Sequence, residues 1–175
     1  MNKKDLIEVS KAPGSLPLGR DAQKLVGALR LGGWLPKSSV AVLSIYCVTQ
    51  ARMAFLNKKH RKKNGATDVL SFEQPKLPIK GVRFLGDLVL CTAVAKKQAK
   101  EQGHSLRFEV AVLLAHGLLH LLGYDHERST RQARAMAREE TKLLMLAGFV
   151  AKPGKGTSKR QSTGLIERSK VNKRA

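Results

Sequence analysis

The sequence is short of acids. Thirteen Asp and Glu stand against 33 Lys and Arg in 175 residues, giving a formal net charge of +20 and a pI of about 10.5. Cysteine is scarce as well: Cys47 and Cys91, each in apolar surroundings, cannot make a disulfide framework and read as buried reduced thiols. No apolar run reaches the length of a membrane span. The charged start, Met1-Asn2-Lys3-Lys4-Asp5, has no apolar signal core behind it. These absences lead to the expectation of a soluble, cytoplasmic chain with no membrane partner. Hydrophobic residues are not scarce: at 42% they suffice for a core, which excludes a disordered polycation. The length fits one domain.

The missing acids are unevenly missing. Between Asp21 and Asp68 there is no carboxylate, while nine Lys or Arg fall in the interval. Six of them, Arg52, Lys58, Lys59, Arg61, Lys62 and Lys63, crowd into residues 52–63. A charge run is ordinarily a solvated face, but here no counter-charge is interleaved, which favours a polyanionic partner. Aromatics make up only 5% of the chain, so recognition is expected to rest on phosphates and shape rather than on stacked bases. The last 25 residues carry eight Lys or Arg and one acid, Glu167. The expected organisation is therefore one domain over 1–150 and a basic, disordered tail over 151–175.

A coarse pass places the elements. Asp5–Val9 reads as a short strand, and Asp21 as the N-cap of a helix that ends at Gly32-Gly33. Val40–Val48 is a nearly unbroken apolar run and reads as a buried strand; Thr49 then caps a helix to about Leu56. Thr67–Phe72 and Leu85–Cys91 read as two further strands. Helices follow from Thr92 to Gln102, from Ser105 to about Leu122, and from a Ser129/Gln132 capping box to Gly148. The order predicts an α+β fold: a small mixed β-sheet packed with about five helices.

The chemistry concentrates in His116-Gly117-Leu118-Leu119-His120-Leu121-Leu122-Gly123-Tyr124-Asp125-His126. His116 and His120 are four apart on a helix, so both imidazoles leave one face about a turn apart. Gly123 breaks the helix, and the turn that follows can swing His126 toward the same point. Three neutral imidazoles with one position left open is the layout of a catalytic zinc site, one Zn2+ per chain. A lone histidine in an apolar helix is usually a satisfied core residue. Three of the chain's five, at ligand spacing within eleven residues, are costly to bury without a common partner. Zinc proteases of the H-E-x-x-H kind carry a glutamate directly after the first histidine as general base; here that residue is Gly117. The reaction must lean on zinc-bound water, on substrate phosphate or on another residue, and peptidase chemistry is disfavoured.

This string resembles the HGxLHLxGYDH signature of the YbeY family, bacterial metal-dependent endoribonucleases and rRNA maturation factors. Leu56-Asn57 followed by Arg61, then Thr67-Asp68-Val69-Leu70-Ser71-Phe72, is similar to the family's LN…R…TDVLSF block. Leu85-Gly86-Asp87 resembles its LGD strand, and Met136, Glu140, Leu143 and Leu144 match its last helix. The likeness covers residues 40–148. Ala66 stands where the family often has Pro, and His60 where it often has Tyr; neither is a proposed ligand.

The resemblance implies a zincin-like cleft with the metal-binding helix near the sheet, and zinc on His116, His120 and His126. It also implies that the family's cleft arginine falls on Arg61, and that the substrate is single-stranded RNA in ribosomal RNA processing, notably the 3′ end of the small-subunit RNA, and in ribosome quality control. The expected partners are ribosomal RNA and the ribosome or its small subunit. Arg61 is then expected to hold the scissile phosphate bidentately beside zinc-bound water. Arg52, Lys58, Lys59, Lys62 and Lys63 are candidate RNA contacts. Asp125 either orients a ligand imidazole or caps its turn, and the turn is favoured. Ser71 and Asp87 read as polar residues that fix loops, Tyr124 as a packing or hydrogen-bonding residue of the turn, His60 as a surface residue, and His104 as a helix end without a role. The competing reading is a non-catalytic rRNA assembly factor whose zinc is structural.

Overall fold

A computed structural model describes residues 4–10, 16–75, 78–126 and 129–150. The expected tail over 151–175 lies outside the described residues. Strands β1 (Leu6–Val9), β2 (Val40–Cys47), β3 (Val69–Phe72) and β4 (Val82–Leu90) form one sheet in the order β1-β2-β4-β3. β1, β2 and β4 run parallel, and β3 is antiparallel at the edge. Five helices pack with it: α1 (Leu18–Leu31), α2 (Gln50–Arg61), α3 (Thr92–Gln102), α4 (Leu106–Leu121) and α5 (Thr130–Leu146). The mixed α+β architecture expected from the sequence is the one observed. Among the described residues no helix is long and apolar enough to cross a membrane.

Alternation along β4 divides the core in two. Leu88 and Leu90 face the main cluster, with Leu25 and Leu29 of α1, Leu113, Leu114 and Leu118 of α4, and Leu143 of α5. Val89 points the other way, into a smaller cluster with Met53 of α2, Leu70 and Cys91. No residue within β1 or β2 belongs to that second cluster. β2 is therefore not the fully buried strand its composition predicts. Ala41, Leu43 and Ile45 are buried, Val42 and Ser44 are half-buried, and Tyr46 is 40% exposed. Hydrophobic runs do not report that only one face has a helix over it. Cys91 is buried as expected, but Cys47 is half-buried.

Other boundaries moved for identifiable reasons. α1 starts at Leu18, one turn ahead of Asp21. Asp21 is not its N-cap; it lies inside the first turn, 2% exposed, and accepts from Arg107 Nε (2.8 Å) and Nη2 (2.6 Å). The pair ties the start of α4 to α1, and the helix N-terminus favours the buried carboxylate further. Thr49 does cap α2, accepting from the Arg52 N–H at 3.3 Å, but the helix runs five residues past Leu56. Its last turn holds Lys58, Lys59 and Arg61, cations that suit the negative end of the helix dipole, together with His60. Four of the six cations of the basic cluster are thus helical. Lys62 closes the helix in the left-handed region at φ 58°.

β4 starts three residues earlier than predicted, and a bulge sits where its register against β2 shifts between Val42 and Leu43. Gly86 lies there at φ 129°. A Cβ at this position would collide with the Phe72 carbonyl oxygen and come 2.9 Å from Leu121 Cδ2. Gly86→Ala is expected to cost about 3 kcal/mol through strain and clash. For a domain of this size that lowers Tm by about 6–12 °C, as calorimetry will read; a fall of under about 2 °C means the bulge relaxes freely.

Candidate metal centre

α4 is apolar all round because it is the core helix. Ser105 caps it, accepting from the Phe108 N–H at 3.2 Å, and residues 108–115 are all buried. Toward its end His116 and His120 are half-buried while Gly117, Leu118 and Leu119 between them are buried. The i,i+4 spacing therefore does what the sequence predicted: both imidazoles leave one stripe. After Leu121 the chain turns sharply. The Gly123 N–H donates to the His120 carbonyl (2.8 Å) and the Tyr124 N–H to the Leu119 carbonyl (3.0 Å), with Gly123 at φ 90°. Tyr124 is held on its outer side, where Trp34 Nε1 donates to its hydroxyl at 3.2 Å.

That turn returns His126 to the helix. The three ring centroids stand 4.7, 5.1 and 5.0 Å apart, and one nitrogen of each lies within 4.8 Å of the others. Among the described residues this is the group able to hold a metal ion. The nitrogens fit one. His116 Nε2 and His120 Nε2 are 3.2 Å apart, and two ligands at about 2.0–2.1 Å from a tetrahedral zinc are separated by about 3.4 Å. Burial first, then the nearby His116 and His126, push the His120 imidazole down to about 4, against a smaller opposing pull from Asp125. His120 is thus neutral at neutral pH, the form that can ligate.

A carboxylate completes the arrangement, and the sequence reading gave it no role. Glu140 of α5, 9% exposed, has its Oε2 2.9 Å from His116 Nδ1. An ionised carboxylate only accepts, so Nδ1 carries the proton and Nε2 turns its lone pair inward. For Asp125 the sequence favours a turn role over orienting an imidazole; its charge acts on His120, and Glu140 contacts His116. The missed signal was available. Met136, Glu140, Leu143 and Leu144 are the buried stripe of α5, and a glutamate inside an apolar stripe needs a partner. Glu140→Gln is expected to weaken metal binding about tenfold and Glu140→Leu by about a hundredfold, measured by chelator competition. Equal affinity in all three proteins reduces Glu140 to packing.

Gly117 has a structural reason. A Cβ there would come 2.7 Å from Leu88 Cδ2 and 3.2 Å from Ser71 Oγ, whose hydroxyl donates to the Gly117 carbonyl at 3.3 Å. The position after the first ligand is pressed against the sheet, and a glutamate there would have to displace the buried Leu88 side chain. Ser71, read from the sequence as a loop-fixing residue, instead bonds α4, while Asp87 accepts from Gln74 Nε2 of the loop after β3 at 3.2 Å.

The basic residues lie elsewhere. Arg52, Lys58, Lys59 and Arg61 on α2, with Lys62 and Lys63 after it, are all exposed, and α2 covers the sheet face opposite α4. Asn57 anchors the loop beyond, its Nδ2 donating to the Gly65 carbonyl at 2.9 Å. The last turn reaches the sheet edge, where the exposed His60 packs edge-on against Phe72 with centroids 5.0 Å apart. The Phe72 carbonyl and Leu121 both close on Gly86, so Phe72 on the β3 edge is touched by His60 of α2 and, across Gly86, neighbours Leu121 at the end of α4. His104 has more company than expected: its Nε2 lies 3.1 Å from Oε2 of the fully buried Glu109.

Known proteins share this plan. A solution structure of a Thermotoga maritima protein aligns with a TM-score of 0.53 at 21% identity, covering 81% of this chain and 89% of that one; the likeness is one of fold. The Endoribonuclease YbeY of Myxococcus xanthus (strain DK1622) is 51% identical over 111 residues, 62% of this chain and 37% of that protein. That of Anaeromyxobacter dehalogenans (strain 2CP-C) is 46% identical over 110 residues, 63% and 56%. The chloroplastic Endoribonuclease YBEY of Arabidopsis thaliana is 41% identical over 124 residues, 70% and 20%. The chain thus spans well under two thirds of these relatives' lengths. The family model described as Endoribonuclease YbeY matches residues 23–148, which hold the whole sheet from β2 onward and all three histidines. With most of its length inside that match, this chain belongs to the YbeY endoribonuclease family.

Proposed function

We infer that this chain is a zinc-dependent, single-strand-specific endoribonuclease of ribosomal RNA, acting on the 3′ end of the small-subunit RNA and in ribosome quality control. The carrying observation is the half-buried triangle of imidazoles, three ligands in a chain whose helix α2 is basic and carboxylate-free. A closed structural site has four protein ligands, whereas three leave one position for substrate or water. His116, His120 and His126 hold the ion, and Glu140 fixes the tautomer of the first. Bound there, zinc supplies an electrophile for a phosphate oxygen and makes a coordinated water acidic near neutral pH. Arg61, charged at every relevant pH, binds the scissile phosphate through two N–H donors and stabilises the charge that grows on its oxygens. Lys58, Lys59, Lys62 and Lys63 hold neighbouring phosphates and give the complex its salt dependence.

The test is a substrate panel of single-stranded RNA, duplex RNA and casein, with chelation and zinc restoration. Cleavage confined to single-stranded RNA, lost on chelation and regained with zinc, supports the reading. If the zinc-loaded protein binds RNA without cutting it and chelation unfolds the domain, the chain is an rRNA assembly factor with structural zinc. Cleavage of casein would make it a peptidase despite Gly117.

A further inference from the structure

α2 carries an aromatic ring in the open. Phe55 is 54% exposed, and the Arg52 guanidinium carbon stands 5.2 Å from the centre of its ring. The buried residues of the helix are Met53 and Asn57. At 100° per residue, Arg52, Phe55, Lys58 and Lys59 occupy the stripe directly opposite, and all four are exposed. A single exposed phenylalanine ordinarily means nothing. This one is covered on one side by a guanidinium, flanked by lysines, and set in the stretch from Asp21 to Asp68 where the sequence has no carboxylate. The stripe is complementary to a polyanion that also offers flat apolar faces.

We propose that Arg52 and Phe55 form a stacking subsite for one unpaired base of the RNA strand on the outer face of α2. The proposal rests on the endoribonuclease reading above and adds a place where the strand is gripped away from the metal centre. Every base has a π-face, so the subsite accepts any of the four. Arg52 holds the ring by a cation–π contact and supplies charge to the backbone, while Lys58 and Lys59 take the flanking phosphates. Phe55 precedes Arg61 by six residues, about 9 Å along the helix axis and about 120° around it, so a strand that stacks at Phe55 must wind about a third of a turn around α2 to reach Arg61. Bases inside a duplex are stacked and paired already and cannot use the ring, so the subsite favours single strands.

The experiment measures fluorescence anisotropy of the full chain with two labelled probes of about ten nucleotides. One is 2′-O-methyl oligoadenylate; the other has the same backbone built from abasic spacers. Phe55→Ala is expected to weaken oligoadenylate binding about 5- to 50-fold and to leave the abasic probe and the log–log salt slope unchanged. Phe55→Trp should bind oligoadenylate at least as tightly as the wild type. Arg52→Lys, which keeps charge but loses the stacking plane, should lose affinity for oligoadenylate more than for the abasic probe. Phe55 is outside the core, so circular dichroism should show all three variants folded. Equal losses on the two probes, or no loss with Phe55→Ala, overturn the subsite while leaving the endoribonuclease reading standing. If the wild type binds neither probe at low salt, that reading falls as well and takes the subsite with it.

Discussion

His120→Ala is expected to lose its zinc and to reduce RNA cleavage to background. Four-ligand structural zinc sites bind with about 10–16 kcal/mol, so one ligand contributes on the order of 3 kcal/mol. Losing it weakens binding by roughly a hundredfold, and the two remaining imidazoles fall short of the three protein ligands typical of catalytic sites. His120 is the right residue to remove. Taking away His116 would strand the buried carboxylate of Glu140, and an uncompensated buried charge destabilises a fold by several kcal/mol. His120 is instead a half-buried ring whose charged form burial already opposes. Its replacement leaves the α4 core residues untouched, so the variant should keep its far-UV circular dichroism. Zinc per chain by plasma mass spectrometry, read beside cleavage of single-stranded RNA, decides the matter. A variant that keeps one zinc and full activity shows that the ligands lie elsewhere.

Arg61→Ala is expected to do the reverse: zinc stays, and cleavage falls by about 10²–10³-fold. That range is the usual cost of removing one donor to charge that develops in a transition state. The loss should fall on kcat more than on KM, since an interaction strengthened only in the transition state does not set ground-state binding. Arg61→Lys should recover only part of the rate, because an ammonium cannot reproduce the planar two-donor grip. Lys59→Ala, two residues away on the same helix, serves as the comparison. It should raise KM modestly and flatten the log–log salt slope by about 0.7, as for one phosphate contact to a single strand. If Arg61→Ala behaves like Lys59→Ala, Arg61 is one cation of a basic surface and the reacting phosphate is held by something else.

Much of the site was legible before any fold was known. The 116/120 spacing is a property of a single helix, and Gly123 marks its end, so two ligands and the turn to the third follow from local rules. Ser105 and Ser129 announced the starts of α4 and α5 for the same reason: a cap bonds within its own first turn. The misreadings are also local rules, applied where tertiary packing overrode them. Asp21 has the chemistry of an N-cap but is claimed by Arg107, 86 residues away. Val40–Val48 has the composition of a strand covered on both sides, yet the helix that covers the second face lies over β3 and β4.

What the sequence alone determined is the kind of chemistry: three imidazoles at ligand spacing, a stretch of cations with no carboxylate, and no glutamate after the first histidine. Each is a matter of which residues stand within one or two helical turns, and such short ranges survive in any fold that keeps the helix. The tertiary structure decided the partners. It brought Glu140 to His116 across 24 residues, pressed Gly117 against Leu88 and Ser71, and laid the basic helix over the sheet face opposite α4. Those contacts depend on which apolar faces bury one another. That choice is settled by the summed burial of the whole chain, which no local window contains.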